Sequence, residues 1–540
     1  MSTIASQLKP PIEAPRATHQ ISLSSIRENY RTIERKAAMQ KCSVMAVVKA
    51  DAYGHGAQET ATYLMRECGC DSFCVATLDE AIHLREKLPY PVRILVLGAP
   101  VDLPADFDRY LHWQIEMMVS GPEVVKKLME WCSDIKTRRE NMVQNSAKEA
   151  MDKVAESNIS KGVVKSSKTL GNVEGESLAR EIREIMIHKK KEAQVQAFID
   201  NASSGARTPN GKASPVQTTP SLDAPPTTNI TQFQGIAHAA SVSRLKSERA
   251  ANGVSPSPQM GNEEKEKKIR WHGMVDTGMG RMGFKPEEDW SVEAIQELHR
   301  FSLQGSPISF TGLCTHMAEA SSSSTFTVEQ FGRFKILLNR LREAGLSVET
   351  VHTDNSSALL EESLKHFDTA VLKQKSADSR GYVRCGGAIY GQRPQFTELL
   401  PVSTLSANIR HVGKIKLGES VGYDRTWVAE RDSIIATVAI GFADGVPRDL
   451  KGGSVQINGN VCSIVGNVCM DMLMVDVTDL ESENTVKVGD SCVLWGPVVD
   501  ELGGIDEQIK LKDIAKSLKT TQSELTCGVD VKRVRRVYDK

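Results

Sequence analysis

The feature that most constrains the fold is an alternation. Between residues 44 and 384, apolar runs of strand length take turns with amphipathic segments at helical spacing, and past Pro401 the alternation stops. Strand candidates lie near residues 44–48, 72–78, 93–98 and 111–119, then near 269–276, 310–315, 348–352 and 382–384. Helical patterns separate them at 57–67, 79–87 and most clearly 328–344, where Phe331, Phe334, Leu337, Leu338 and Leu341 share a face. A short strand from Ile21 and a serine-capped helix from Ser24 precede them. This is the grammar of a parallel sheet, and about eight units is the number that closes a (β/α)8 TIM-like barrel.

Two departures divide the chain. The pattern breaks near Asp134 and resumes near Lys267; between them the only aromatics are Phe198 and Phe233, and Ser, Thr, Pro, Asn, Lys and Glu dominate. Such a segment buries too little apolar surface to offset its ordering entropy, so residues 134–266 read as a loop insertion, disordered at least over 202–261. Leu178, Ile182, Ile185 and Met186 have helical spacing within it. Beyond Pro401, β-rich runs at 434–440, 455–461, 472–477 and 491–494 predict a second, mostly β domain with a helix at 511–517 and a last strand toward Tyr538. The expected architecture is therefore a barrel over 1–400, interrupted by 134–266, followed by a β domain over 401–540.

Charge narrows the partners. With 67 basic and 68 acidic side chains, the chain carries no footprint for nucleic acid or an anionic membrane surface. No apolar run spans a bilayer and the first residues lack a secretory core, so a soluble, intracellular, cytoplasmic protein is expected. The eleven cysteines lack paired zinc spacing; free, mostly buried thiols are the expectation, and no metal site.

In a barrel of this type, chemistry sits at the carboxyl ends of the strands. Lys49 ends the first apolar run, within Val47-Val48-Lys49-Ala50-Asp51-Ala52-Tyr53-Gly54-His55-Gly56. Other polar residues at strand ends are Asp276 through Gly283, Thr315, His316, His352, Asn355, Ser356, Arg384, Gly386 and Gly387. Singly, each has an ordinary explanation: a snorkelling lysine, a satisfied core histidine, a helix-capping asparagine. Gly278-x-Gly280-x-x-Gly283 matches a dinucleotide fingerprint but lies deep in the chain without the required βαβ context, so a nucleotide-binding protein remains a rival reading. Together, a lysine able to form an imine, hydroxyls and glycine amides for a phosphate, and an arginine and histidine beside an aromatic ring meet the needs of pyridoxal phosphate.

The Lys49 stretch resembles the pyridoxal-lysine motif of the alanine racemase family. Asp276-Thr277-Gly278-Met279-Gly280-Arg281-Met282-Gly283, Thr315-His316, Asn355-Ser356 and Arg384-x-Gly386 are similar to the family's later motifs, in order. So are Gly418 to Tyr423, Ile440 to Gly445 and Cys469-Met470-Asp471-Met472. The resemblance covers the chain except the insertion and an extra piece around 374–380. It implies racemisation of L- and D-alanine, with Lys49 holding pyridoxal 5'-phosphate as an aldimine and serving as base on one face. Tyr423, from the second domain of a partner subunit, would be the base on the other. A free tyrosine ionises near pH 10, so a network from His316 to Arg384 would stabilise its phenolate.

By the same resemblance, Arg384 meets the pyridine nitrogen, His316 packs on the ring, and Tyr53, Ser356, Gly386 and Gly387 hold the phosphate. Arg281 and the backbone of Met470 orient the substrate carboxylate, and the enzyme is a homodimer with shared sites acting on a small amino acid. A serine racemase and a non-catalytic pyridoxal-phosphate carrier are the alternatives. Three positions depart from the family pattern: Met274 replaces a lysine that positions the arginine, Phe442 replaces a tyrosine of the substrate channel, and Ser523 stands where many members have a phosphate-binding tyrosine.

Overall fold

The computed structural model describes residues 15–161, 267–320, 325–361, 380–393, 395–480, 486–499 and 505–539. The first strand, β1 (Ala17–Ser22), leads into a helix at Leu23–Met39, whose cap is Ser22: its Oγ accepts the Ser25 N–H at 3.2 Å. The barrel follows. Its strands are β2 (Cys42–Val47), β3 (Ser72–Val75), β4 (Arg93–Val96), β5 (Met117–Val119), β6 (Ile269–Met274), β7 (Ile308–Cys314), β8 (Thr350–His352) and β9 (Arg380–Cys385). They pair in parallel in the order β4-β3-β2-β9-β8-β7-β6-β5, and a bridge between Leu95 and Glu116 closes the ring.

Helices pack outside the ring. In Thr325–Glu343 the five apolar residues of the expected face are all buried, each contributing about 1.5–3 kcal/mol. Inside the ring a separate, sulfur-rich layer of Met45, Cys74, Met118, Met274 and Cys314 packs with Leu95 and Tyr382. All eleven cysteines are unpaired and only Cys527 is exposed.

The second sheet contains β10 (Ser403–Ile415), β13 (Ser433–Val438), β14 (Ser454–Ile457), β15 (Asn460–Val465), β16 (Leu473–Asp476) and β17 (Ser491–Trp495). Because the long β10 pairs with β17 through its first half and with β13 through its second, these six antiparallel strands also form a ring. Two-residue ribbons, β11 (Ser420–Val421) with β12 (Trp427–Val428) and β18 (Val498–Val499) with β19 (Ile505–Asp506), decorate it. The last strand, β20 (Arg535–Asp539), pairs in parallel with β1, which in turn pairs with β10.

Four expectations change. Strand β1 belongs to the second sheet, so the chain's first strand and last strand meet there, outside the barrel. The run at 111–119 divides into a helix, Ala105–Trp113, and the short β5, because Gln114 takes a left-handed conformation at φ 50° and stops the helix. The run at 455–461 is a hairpin folded at Asn458-Gly459, both at positive φ. Finally, the helix beginning at Pro122 does not stop near Asp134 but continues to Lys161. The helix expected near Leu178 and most of the extra piece at 374–380 lie outside the described residues.

Candidate active site

Val48 N–H donates to the Cys74 carbonyl at 2.8 Å, carrying the sheet one residue past β2 before the chain turns at Lys49. The turn is left-handed: Ala50, Asp51, Ala52 and Tyr53 all have φ between 51° and 57°. For non-glycine residues that conformation costs roughly 1–2 kcal/mol each, so it must be held from outside. Glu80 Oε1 accepts the Ala50 N–H at 2.7 Å, Asp51 Oδ1 accepts the Ala57 N–H at 2.7 Å, and Arg536 of β20 pairs with Asp51 Oδ2 at 2.7 Å. Gly54 completes the turn where a Cβ would lie 2.1 Å from the Thr526 carbonyl oxygen. Lys49 is thereby held half-buried at the barrel mouth.

Lys49, Arg281, His316 and Arg384 line one cavity of about 240 Å³, with Met118, Met274 and Cys314 as part of its apolar wall. That is smaller than sites for drug-sized ligands. Arg384 is fixed on several sides: Nη1–H donates to the His352 carbonyl at 2.6 Å and to His352 Nδ1 at 2.7 Å, Nη2–H donates to the Thr315 carbonyl at 2.5 Å, and His316 Nδ1 lies 3.3 Å from Nη2. Burial first, then the charges of Arg384, Arg281 and Lys49, push the His316 pKa down to about 3. His316 is therefore neutral at Arg384's side.

The contacts of His352 continue into the barrel. His352 Nε2 lies 3.0 Å from His272 Nδ1, and His272 Nε2 lies 3.0 Å from Glu116 Oε2. Arg93 grips Glu116 through two bonds of 2.8 Å. Burial would raise the Glu116 pKa, but hydrogen bonds from His272 and Arg93 pull it well below the usual carboxylate range, while burial lowers both histidines. Only one proton arrangement satisfies this chain. Arg384 donates to His352 Nδ1, His352 Nε2–H donates to His272 Nδ1, and His272 Nε2–H donates to the Glu116 carboxylate. Of these partners, sequence reasoning collected His352 without a role and missed His272, Glu116 and Arg93. The available signal was a charged or imidazole residue inside an apolar strand run, as in Ile115-Glu116-Met117 and Trp271-His272-Gly273.

Beside Lys49, the Ser356 Oγ accepts the Gly386 N–H at 3.1 Å and the Ala388 N–H at 3.3 Å. The Tyr53 hydroxyl sits over Gly386, 2.3 Å from where a Cβ would be. Tyr53, Ser356, Gly386 and Gly387 thus come together, as expected. Met274 joins the sulfur layer, its Sδ 3.5 Å from Cys314 Sγ, and exposed Arg281 makes no ion pair among the described residues. Ser523 Oγ–H donates to Gln392 Oε1 at 2.6 Å.

Tyr423 and Met470 do not line the Lys49 cavity. They line a separate, open depression of about 500 Å³ on the β domain, together with Gly422, Asp471 and Met472. Tyr423 is 66% exposed, and its carbonyl accepts Asn467 Nδ2–H at 3.1 Å. Phe442 lies close to this surface, its N–H bonded to the Cys469 carbonyl at 3.0 Å.

Comparison with known proteins identifies the family. The alanine racemase N-terminal domain model matches residues 21–144 and 258–394, and the C-terminal domain model matches 402–538. Alanine racemase 1 of Clostridium acetobutylicum is 34% identical over 282 residues, covering 50% of this chain and 65% of that protein, so the chain spans just under two thirds of that relative. The alanine racemase of Methanococcus maripaludis is 32% identical over 292 residues, covering 53% of this chain and 71% of that protein. The crystal structure of Bartonella henselae alanine racemase with covalently bound pyridoxal phosphate is 21% identical with a TM-score of 0.61, covering 97% of this chain and 100% of that one, a likeness of fold. A barrel interrupted between the two matched segments and followed by a matched β domain has one consistent assignment: the chain belongs to the alanine racemase family.

Proposed function

We propose that the protein interconverts L- and D-alanine with pyridoxal 5'-phosphate as cofactor, using Lys49 and Tyr423 as opposed bases. The observation that carries this reading is a lysine and a fixed arginine, Arg384, sharing one small cavity beside a cup of Tyr53, Ser356, Gly386 and Gly387. The cup's hydroxyls suit a phosphate, and the Arg384 guanidinium suits a ring nitrogen. When bound, pyridoxal phosphate supplies a conjugated pyridine that spreads the negative charge left by α-proton loss. Lys49 would hold it and would take or return the α-proton at Nζ, and Tyr423 Oη would do the same from the opposite side. Arg384 keeps its own protons, and its link through two neutral histidines to Glu116 adds no mobile proton. Arg384 would thus hold a pyridine nitrogen without giving it a proton, which would favour racemisation over transamination. His316 would pack on the ring, and Arg281 with the Met470 backbone would orient the substrate carboxylate.

The same reading makes the enzyme a homodimer. Tyr423, Met470 and Met472 are 66%, 54% and 47% exposed, an apolar patch of the kind that marks an interface, and a second chain would bring it over Lys49. A cytoplasmic setting is supported by the unpaired cysteines, and among the described residues no helix is long and apolar enough to cross a membrane. The test is incubation of the purified protein with pyridoxal phosphate and L-alanine, with D-alanine measured by chiral chromatography. Approach to a racemic mixture is expected; no D-alanine at saturating cofactor contradicts the proposal.

A further inference from the structure

Arg393 is a half-buried cation that does not line the Lys49 cavity. Its guanidinium packs flat on Gly387: a Cβ there would lie 2.5 Å from Nη1, 2.9 Å from Cζ and 3.1 Å from Nη2. Only glycine at 387 permits this approach. Nε–H donates to Ser357 Oγ at 3.2 Å and Nη1–H to the Gln392 carbonyl at 2.7 Å, while Nη2 has no partner among the described residues. Glu507 lines the same outer groove as Arg393, yet the two make no ion pair among the described residues. The titratable neighbours that act on it are Tyr53 and Cys385, and burial lowers its pKa.

A desolvated cation without a counterion is costly unless an anion is meant to join it. The groups on its Gly387 side are of one kind. The Tyr53 hydroxyl over Gly386, the hydroxyls of Ser356 and Ser357 and the backbone of Gly387 are polar and uncharged, and Arg393 is the cation beside them. A phosphate needs that combination, and arginine's planar fork matches it. Ser523, by contrast, directs its hydroxyl to Gln392, the residue before Arg393.

We propose that Arg393 is the cationic ligand of the cofactor's phosphate, completing the cup of Tyr53, Ser356 and Gly387. This rests on the pyridoxal-phosphate reading above. It assigns Gly387 a second task, since the residue's missing side chain admits the guanidinium. It also makes Ser523 a support for the Gln392-Arg393 segment and not itself a phosphate ligand.

The experiment compares pyridoxal phosphate with pyridoxal, which lacks the phosphate, on the apoprotein. Dissociation constants are read from the visible absorbance of the lysine imine, with melting temperature as a control for folding. Arg393→Met is expected to weaken pyridoxal phosphate by about 10- to 100-fold, the scale of a lost charge-assisted contact, and to change pyridoxal by less than about twofold. Arg393→Lys should recover much of the loss, and Gly387→Ala should reproduce part of it by displacing the guanidinium. If Arg393→Met fails to fold, Arg393→Lys and the wild-type salt dependence decide: added salt should weaken pyridoxal phosphate and not pyridoxal. Equal losses for both ligands, or no loss for either, overturn the phosphate role. A wild-type protein that forms no visible band with pyridoxal phosphate would instead overturn the reading of the whole site.

Discussion

Around Lys49, polar atoms are fixed by neighbours from distant parts of the chain: Glu80 and Arg536 hold the left-handed turn, and His352, His272 and Glu116 hold Arg384 from within the barrel. Around Tyr423 there is little of this. A short turn with Asp424 and Arg425 at positive φ is tied by Asn467, and the tyrosine ring stands in solvent. Under the proposed two-base reading, the contrast separates a half-site that one chain can complete from one that would wait for another surface. Reactive geometry demands fixed groups, so on that reading the second half would acquire its constraints on association.

Substitutions at the two ends should divide accordingly. The largest effects are on turnover: Lys49→Ala and Tyr423→Ala should each lower racemisation by roughly 10²–10⁴-fold, the usual share of a positioned acid or base, and Lys49→Ala alone should abolish the visible cofactor band. Stability should respond in the opposite places. Glu116→Ala leaves Arg93 and His272 buried without their carboxylate and should cost about 3–5 kcal/mol in urea unfolding, whereas Tyr423→Ala should stay within about 0.5 kcal/mol. A Glu116 variant as stable as wild type would show that the buried chain does not anchor Arg384.

Acid should destabilise the fold through its buried histidines. Burial lowers His316 to about 3 and His55 to about 4, and lowers His272 and His352 as well. The unfolded chain binds protons at these histidines near pH 6.5 while the folded chain does not, so stability is intact above that pH and falls as pH drops toward 4. Each site gives up as much as ~1.4 kcal/mol per unit in that window. A urea midpoint unchanged between pH 7.5 and 5 would contradict these neutral, buried histidines. The smallest effect is expected from deleting residues 147–262: loop length costs little free energy, so melting temperature and activity should hold, and an inactive or insoluble product would tie the insertion to the site.

The alternation of apolar runs was enough to read both domains, because strand and helix periods leave their mark on every buried face. What it could not reveal was pairing between distant ends. Nothing local in Ala17–Ser22 says that its partners are β10 and β20, and a strand preceding a barrel reads as part of it. Residues that the structure brings to one cavity could be collected from the sequence where chemistry restricts the residue type, as with Lys49 and Arg384. Glu116 and His272 were not, because a single polar residue inside an apolar strand looks the same whether it is an accident of the surface or the end of a buried chain. Arg393 was hidden for another reason: its meaning depends on the absent side chain of Gly387, six residues earlier.

The central claim, that Lys49 of one chain works with Tyr423 of another, can be measured by complementation. Lys49→Ala and Tyr423→Ala proteins, each inactive alone, are unfolded together, refolded as a mixture and assayed for D-alanine. Random pairing makes half of the dimers mixed, and in each of these one site carries both substitutions and the other carries neither. Activity should therefore return to about a quarter of wild type, the share set by random assembly and closed two-fold pairing. A mixture that stays as inactive as its components, although wild type refolds under the same conditions, would place both residues in the same chain's site and contradict the account.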